Sequence, residues 1–420
     1  MIRFRWALLA SASLALGCAA APMHDATTPA GAPAPTISGA QAVAERPGSA
    51  LAALEAGRLD EVERLASRDI AANPTSAQPR ILRAIVRHKK ATEPLVKMAM
   101  NDRSLLRVNP LTLAATLGEV ESALAEVEAD LAVAAKTPGL GMELCIACWN
   151  VDWNSDGEVD ELDQGLFQIA YDEKGEGIPE DDPRRKPTFR FDDGDVAWAR
   201  AWVSFERAAL DVLIAYDWTG LLVQLEVAEA GGEDPKRIVV PLVEPKRIAE
   251  AKKRILEGLV HSDAERRAYL AETDDDREWV PNPRQQSHPM PLHVDQALYD
   301  TWEGVVSDVR KLVQREEGIP VLELVKLLDG QFPKSIPVNG YIDVGEMLDH
   351  PKNIEIDLEF LERRLRAKDA KGAFSHLLGA AYVRAMKPSR LPARLERMKT
   401  EIERGDEEIG RKLRYLLWLN

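Results

Sequence analysis

The chain is short of positive charge. It sets 54 lysines and arginines against 69 aspartates and glutamates, a formal net charge of −15 over 420 residues. No basic stripe is available to meet phosphates, which argues against a nucleic-acid partner. Cysteine and histidine are scarce as well, at three and seven residues. No histidine lies between His88 and His261, so a four-ligand zinc site cannot be assembled around the internal cysteines locally. The sequence contains no G-x-S-x-G, no H-E-x-x-H, no phosphate loop and no dinucleotide fingerprint. That lowers the expectation of an enzyme without excluding one. Apolar runs long enough to span a bilayer are also missing; the terminal "LRYLLWLN" reads as a helix packing into a core, with membrane contact as the alternative. What remains is a globular composition, 45% hydrophobic and 29% charged, long enough for two or three domains.

The first informative stretch is "MIRFRWALLASASLALGC". A basic start at Arg3 and Arg5, an apolar run from Trp6 to Leu16 and small residues before Cys18 read as a secretory signal. Leu14-Ala15-Leu16-Gly17-Cys18 resembles the lipobox of bacterial lipoproteins, with Ala15 standing where leucine is preferred. The resemblance implies removal of residues 1–17, lipidation of Cys18 and, from Ala19, retention at the outer membrane, facing the periplasm or the surface. Loss of Arg3 and Arg5 would take the formal charge from −15 to −17. Residues 18–48 are rich in Ala, Pro, Thr and Gly without apolar periodicity, which predicts a flexible tether.

From Ser49 the pattern turns helical. In "SALAALEAGRLDEVERLASRDIAANP", Gly57 separates two apolar-periodic runs and Pro74 closes the second. Ala50, Leu59, Val62, Ala66 and Pro74 fall where a tetratricopeptide hairpin wants small, apolar and proline residues, so residues 49–136 resemble that repeat. Asp69 departs from it. A second copy begins near Ala77, and a long helix is predicted from Leu111 to about Lys136.

The most specific stretch is "DWNSDGEVDELD", Asp152 to Asp163, which crowds six carboxylates into twelve residues. It resembles an EF-hand loop. Asp152, Asn154, Asp156, Glu158 (through its carbonyl), Asp160 and Asp163 stand at positions 1, 3, 5, 7, 9 and 12, with Gly157 at 6 and Val159 at 8. The resemblance implies Ca2+ held between two helices. Leu144, Cys148 and Val151 would lie on the incoming helix, and Leu162, Leu166, Phe167, Ile169 and Tyr171 on the outgoing one. Aspartate rather than glutamate at position 12 is similar to dockerin modules, and its shorter reach predicts weaker Ca2+ binding and Mg2+ as a competitor. "FRFDDGDVAWAR" places Gly194 in register for a partner loop but lacks ligands at both ends. It reads either as a degenerate partner or as Asp192 and Asp193 capping a helix from about Val196 to Tyr216. Cys145 and Cys148, in "CIAC", read as a structural disulfide or two buried thiols; a thioredoxin-type redox pair needs a strand context that is not evident. The EF-hand region is placed at 137–218.

Residues 219–420 are expected to be mainly helical, over Pro245 to Ala271, His293 to Arg315, Ile354 to Arg366 and Leu391 to Leu419. "LLVQLEV" and "RIVVPLV" are two short strands, or one is helix, and "GIPVLELVKLLDGQFP" reads as a short buried helix. The whole is therefore expected to be mainly α: helical hairpins or a bundle, an EF-hand helix–loop–helix and few short strands. The function expected is that of a calcium-binding, membrane-anchored lipoprotein acting as a helical scaffold for a protein partner, with Ca2+ as a structural clamp. The alternatives are a periplasmic thiol–disulfide enzyme using Cys145 and Cys148, or a hydrolase with its site in the C-terminal helices.

Overall fold

The first described elements form a helical hairpin. The computed structural model describes residues 48–101, 110–137, 139–172, 176–232, 235–273, 277–285, 288, 294–321, 340–367, 376 and 382–403. The expected leader and tether, most of the segment 318–333 and the apolar stretch 413–420 lie outside them. Helix α1 (Ala50–Glu55) starts where the Ser49 hydroxyl accepts from the Ala52 N–H at 3.1 Å. Gly57, at φ +70°, turns the chain into α2 (Leu59–Ala72). Val62, Leu65, Ala66 and Ile70 recur at helical spacing and are buried. Helix α3 (Ala77–Asn101) continues through Pro94, which removes one ladder bond.

Helix α4 (Pro110–Ala134) buries Leu117, Val120, Leu124, Val127 and Leu131, one stripe of a 3.6 period. Its buried Asp130 receives Arg80 and Arg83 from α3 at 2.9 and 2.6 Å. Helix α6 (Asp193–Ile214) and α8 (Pro245–Ala271) extend the series. Gly258 lets α8 close on Phe205, whose ring would meet an added Cβ at 2.6 Å. Buried Asp211 of α6 and Glu121 of α4 share Arg254 of α8, at 2.6 and 2.8 Å. Each helix of the run α2, α3, α4, α6, α8 packs on the next; α9 (Gln296–Val313) then packs on α8, and α12 (Leu391–Glu403) on α9. The protein is thus mainly α. Among the described residues no helix is long and apolar enough to cross a membrane.

The strands are short. β1 (Gly141–Leu144) pairs antiparallel with β2 (Phe189–Asp192), Gly141 opposite Asp192. β3 (Arg237–Val240) pairs with β6 (Ile354–Asp357), and β4 (Ile319–Pro320), β5 (Tyr341–Ile342) and β7 (Val383–Arg384) make a small third sheet. The remaining short helices are α5 (Glu161–Leu166), α7 (Thr219–Glu229), α10 (Val344–Asp349) and α11 (Leu358–Arg366).

Three expectations are corrected. The segment entering the acidic loop is no helix: it is β1 followed by a 3₁₀ turn over Ile146–Cys148. Its ladder to β2 satisfies the backbone groups that a helix would otherwise satisfy. Helix 354–366 begins only at Leu358, because Ile354–Asp357 is taken into the ladder with β3. The outgoing helix stops at Leu166, so Phe167, Ile169 and Tyr171 lie beyond it. Of the pair left open, "LLVQLEV" is α7 and Arg237–Val240 is a strand. The capping reading of Asp192 holds: its carboxylate accepts from the Gly194 N–H at 2.8 Å, and Asp195 returns the bond to the Asp192 N–H.

Candidate metal centre

The loop 152–163 is bent twice by left-handed residues, Ser155 at φ +62° and Gly157 at φ +98°. Each bend is held by a carboxylate or amide oxygen accepting from the backbone. Asp152 Oδ2 accepts from the Gly157 N–H, Asn154 Oδ1 from Asp156 and Asp156 Oδ1 from Glu158, all at 2.9 Å. Asp163, 1% exposed, closes the loop. Its Oδ1 accepts from the Trp153 and Asn154 N–H groups at 2.7 and 3.0 Å, and its Oδ2 from Asp160 at 3.2 Å. The twelfth residue thus reaches back across the loop and ties its first turn to the start of α5. Asp152 Oδ1 is buried and has no hydrogen-bond partner. An acceptor left in that state is costly unless a cation meets it.

The six residues singled out from the sequence therefore lie along one coiled loop. Yet the loop carboxylates do not converge on one point. Among the described residues, the trio of carboxylates with oxygens within 4.8 Å of one another is Asp192, Glu272 and Glu278. It forms where the start of α6 meets the end of α8, and Asp195 adjoins it, accepting from the Tyr269 hydroxyl at 2.7 Å. Burial, with Asp192 and Glu278 adding, pushes Glu272 up to about 9. Burial also holds Asp195 well above the carboxylate range. Glu272 relieves part of the mutual repulsion by keeping its proton near neutral pH, which is the ordinary answer of crowded buried carboxyls. Sequence reading missed Glu272 and Glu278. They sit in an acidic stretch with no motif, and Asp192 reaches them through the α6–α8 packing and a bridge between Arg190 of β2 and Glu278.

The loop is anchored on three sides. Cys145 and Cys148 are joined by a disulfide across the 3₁₀ turn, with Cα atoms 5.2 Å apart. Asn150 donates its N–H to the Glu55 carbonyl at 2.9 Å, and its own carbonyl lies against Gly57. Lys89 of α3 donates to the Ser155 hydroxyl at 2.5 Å inside the protein. Trp149 stacks near Trp153 (6.2 Å between centroids), and Trp153 meets Phe167 edge-on at 5.2 Å. The segment thereby joins two cores. Trp149 and Val151 belong to the one built on α1–α3, Ile169 belongs to the one around Tyr269 and Tyr299, and Ile146 touches both. Searches of family models, curated proteins and solved structures find no match to this chain.

Proposed function

We propose that this protein is a lipid-anchored scaffold of the bacterial cell envelope whose loop 152–163 binds Ca2+ as a structural clamp. The observation that carries the reading is the buried, unpartnered Asp152 Oδ1 in a loop already coiled by Ser155 and Gly157. The donor set agrees with it: carboxylate, amide and carbonyl oxygens suit a hard cation. Asp152, Asn154, Asp156, the Glu158 carbonyl and Asp160 would hold the ion, and Asp163 would complete the shell from the far end. Because three N–H groups already occupy Asp163, it leaves less capacity for the ion than a free glutamate would. That favours modest affinity and lets Mg2+ compete. Placed between two hydrophobic cores, the ion acts on stability. At a hundredfold excess over Kd it would add about 2.7 kcal/mol. The serially packed helices supply the scaffold surface for a protein partner, and Cys18 the membrane attachment.

The test uses Trp153, at loop position 2, as a built-in antenna. Terbium bound in the loop should emit on indole excitation, calcium should displace it, and Asp152→Ala should abolish the signal. Wild-type protein with no calcium-displaceable emission sinks the reading.

A further inference from the structure

Lys89 comes from a distant helix, α3, and enters the acidic loop as a donor to it. It is 6% exposed, and the Ser155 it meets is 4% exposed, so both ends of the bond are buried. Ser155 occupies loop position 4 in a left-handed conformation that non-glycine residues rarely adopt. No carboxylate lies within ion-pair distance of the Lys89 ammonium among the described residues. Asp152 and Asp163, the first and last residues of the loop, act on it through space, as Glu93 does from its own helix. Lys97, a further turn along α3, opposes these three. Burial weighs most and draws the Lys89 pKa below the ordinary lysine value.

We infer that Lys89 is a built-in competitor of the loop's divalent cation: its ammonium supplies one positive charge to the carboxylates of Asp152 and Asp163, and the ion must bind against it. The inference rests on the calcium reading of the loop and assigns its affinity a cause apart from Asp163. An empty loop of like charges needs a compensating cation to stay folded. A lysine fixed from α3 provides it without leaving the chain. When the ion enters, the same charge repels it, so the site fills only where calcium is plentiful. The repulsion grows with the charge of the ion. A lysine that merely held Ser155 in place would show no such dependence.

The experiment measures calcium and terbium binding to the whole chain and to Lys89→Met, Lys89→Gln and Lys89→Arg. Removing the charge should tighten calcium on the order of tenfold at low salt. Terbium should gain more than calcium, with the logarithms of the two gains near 3:2. Lys89→Gln keeps a donor for Ser155 and should show the same gain should the methionine variant fail to fold. Lys89→Arg keeps the charge and should match wild type. Wild-type binding with unchanged or weaker affinity in the neutral variants, or equal gains for the two ions, overturns the competitor while leaving the calcium site standing. Absence of binding by wild type overturns both.

Discussion

Replacing Gly57 by alanine should destabilise the protein by about 3 kcal/mol and weaken a cation loop far away in sequence. Gly57 sits at φ +70°. An L-residue held there costs about 1–2 kcal/mol. An added Cβ would also stand 1.9 Å from the Asn150 carbonyl oxygen, backbone that cannot swing aside. Relief requires Asn150 to retreat by more than an ångström, which breaks its 2.9 Å N–H bond to Glu55. That loss contributes about 1 kcal/mol. Asn150 lies between Trp149 and Val151, both buried in the first core, so their packing shifts with it at a further cost of about 1 kcal/mol. At about 2–4 °C per kcal/mol the melting temperature should fall by roughly 6–12 °C. Gly231→Ala is the control, since Gly231 is also left-handed (φ +85°) but has nothing within 4 Å of an added Cβ. It should cost only the conformational part, about 1 kcal/mol. The assay is thermal unfolding of both variants with and without calcium, beside a calcium titration. If Gly57→Ala costs no more than the control, or leaves calcium affinity untouched, the α1–α2 turn does not brace the loop.

Stability should also fall as pH rises from 6.5 to 9. Glu272, lifted to about 9 chiefly by burial, keeps in the folded state a proton the unfolded chain releases near 4.5, so its contribution is full below 4.5 and is lost on the way to 9. Burial opposes the charge on His88, but Glu206, 2.8 Å away, wins and raises its pKa, so its contribution is likewise lost as pH climbs above 6.5. His261, drawn down to about 4 by burial and Arg200, acts in the other direction and only below 6.5. Melting curves should therefore decline over 6.5–9, and Glu272→Gln should flatten them; a profile that rises there refutes the assignment. For the anchor, Cys18→Ser should release exported protein into the soluble fraction. Continued sedimentation with membranes after a high-salt wash would show that lipid is not what holds it.

How much of this was legible in the sequence depends on what each feature needs. Helix α8 begins at Pro245 and runs to Ala271 as expected, and α4 lies within two residues of its expected bounds, because a long amphipathic stripe is decided by its own residues. The loop was legible for the same reason. The hydrogen bonds that hold its two bends run between positions two to five apart, and Gly157 and the spaced acids state them in order. The strand β1 was not legible. Leu144, Cys148 and Val151 fit a helical spacing, and alternation over the four residues of β1 is too short to argue otherwise. The decision belongs to Phe189–Asp192, which the sequence holds more than forty positions away. Ile354–Asp357 was lost to β3 in the same manner.

The candidate site divides along that line. Its proposed ligands are local, and the sequence sets them side by side. The parts that would govern it are distant: Gly57 under Asn150, Lys89 on Ser155, and the ladder that turns the incoming chain. A twelve-residue motif fixes which oxygens face a cation, but not the charge already in place beside them nor the cores that the ion would join. Affinity and consequence are therefore properties of the α1–α3 packing as much as of the loop. Grafting residues 149–171 alone into another protein should carry over the donor set without Lys89's opposing charge or the brace at Gly57.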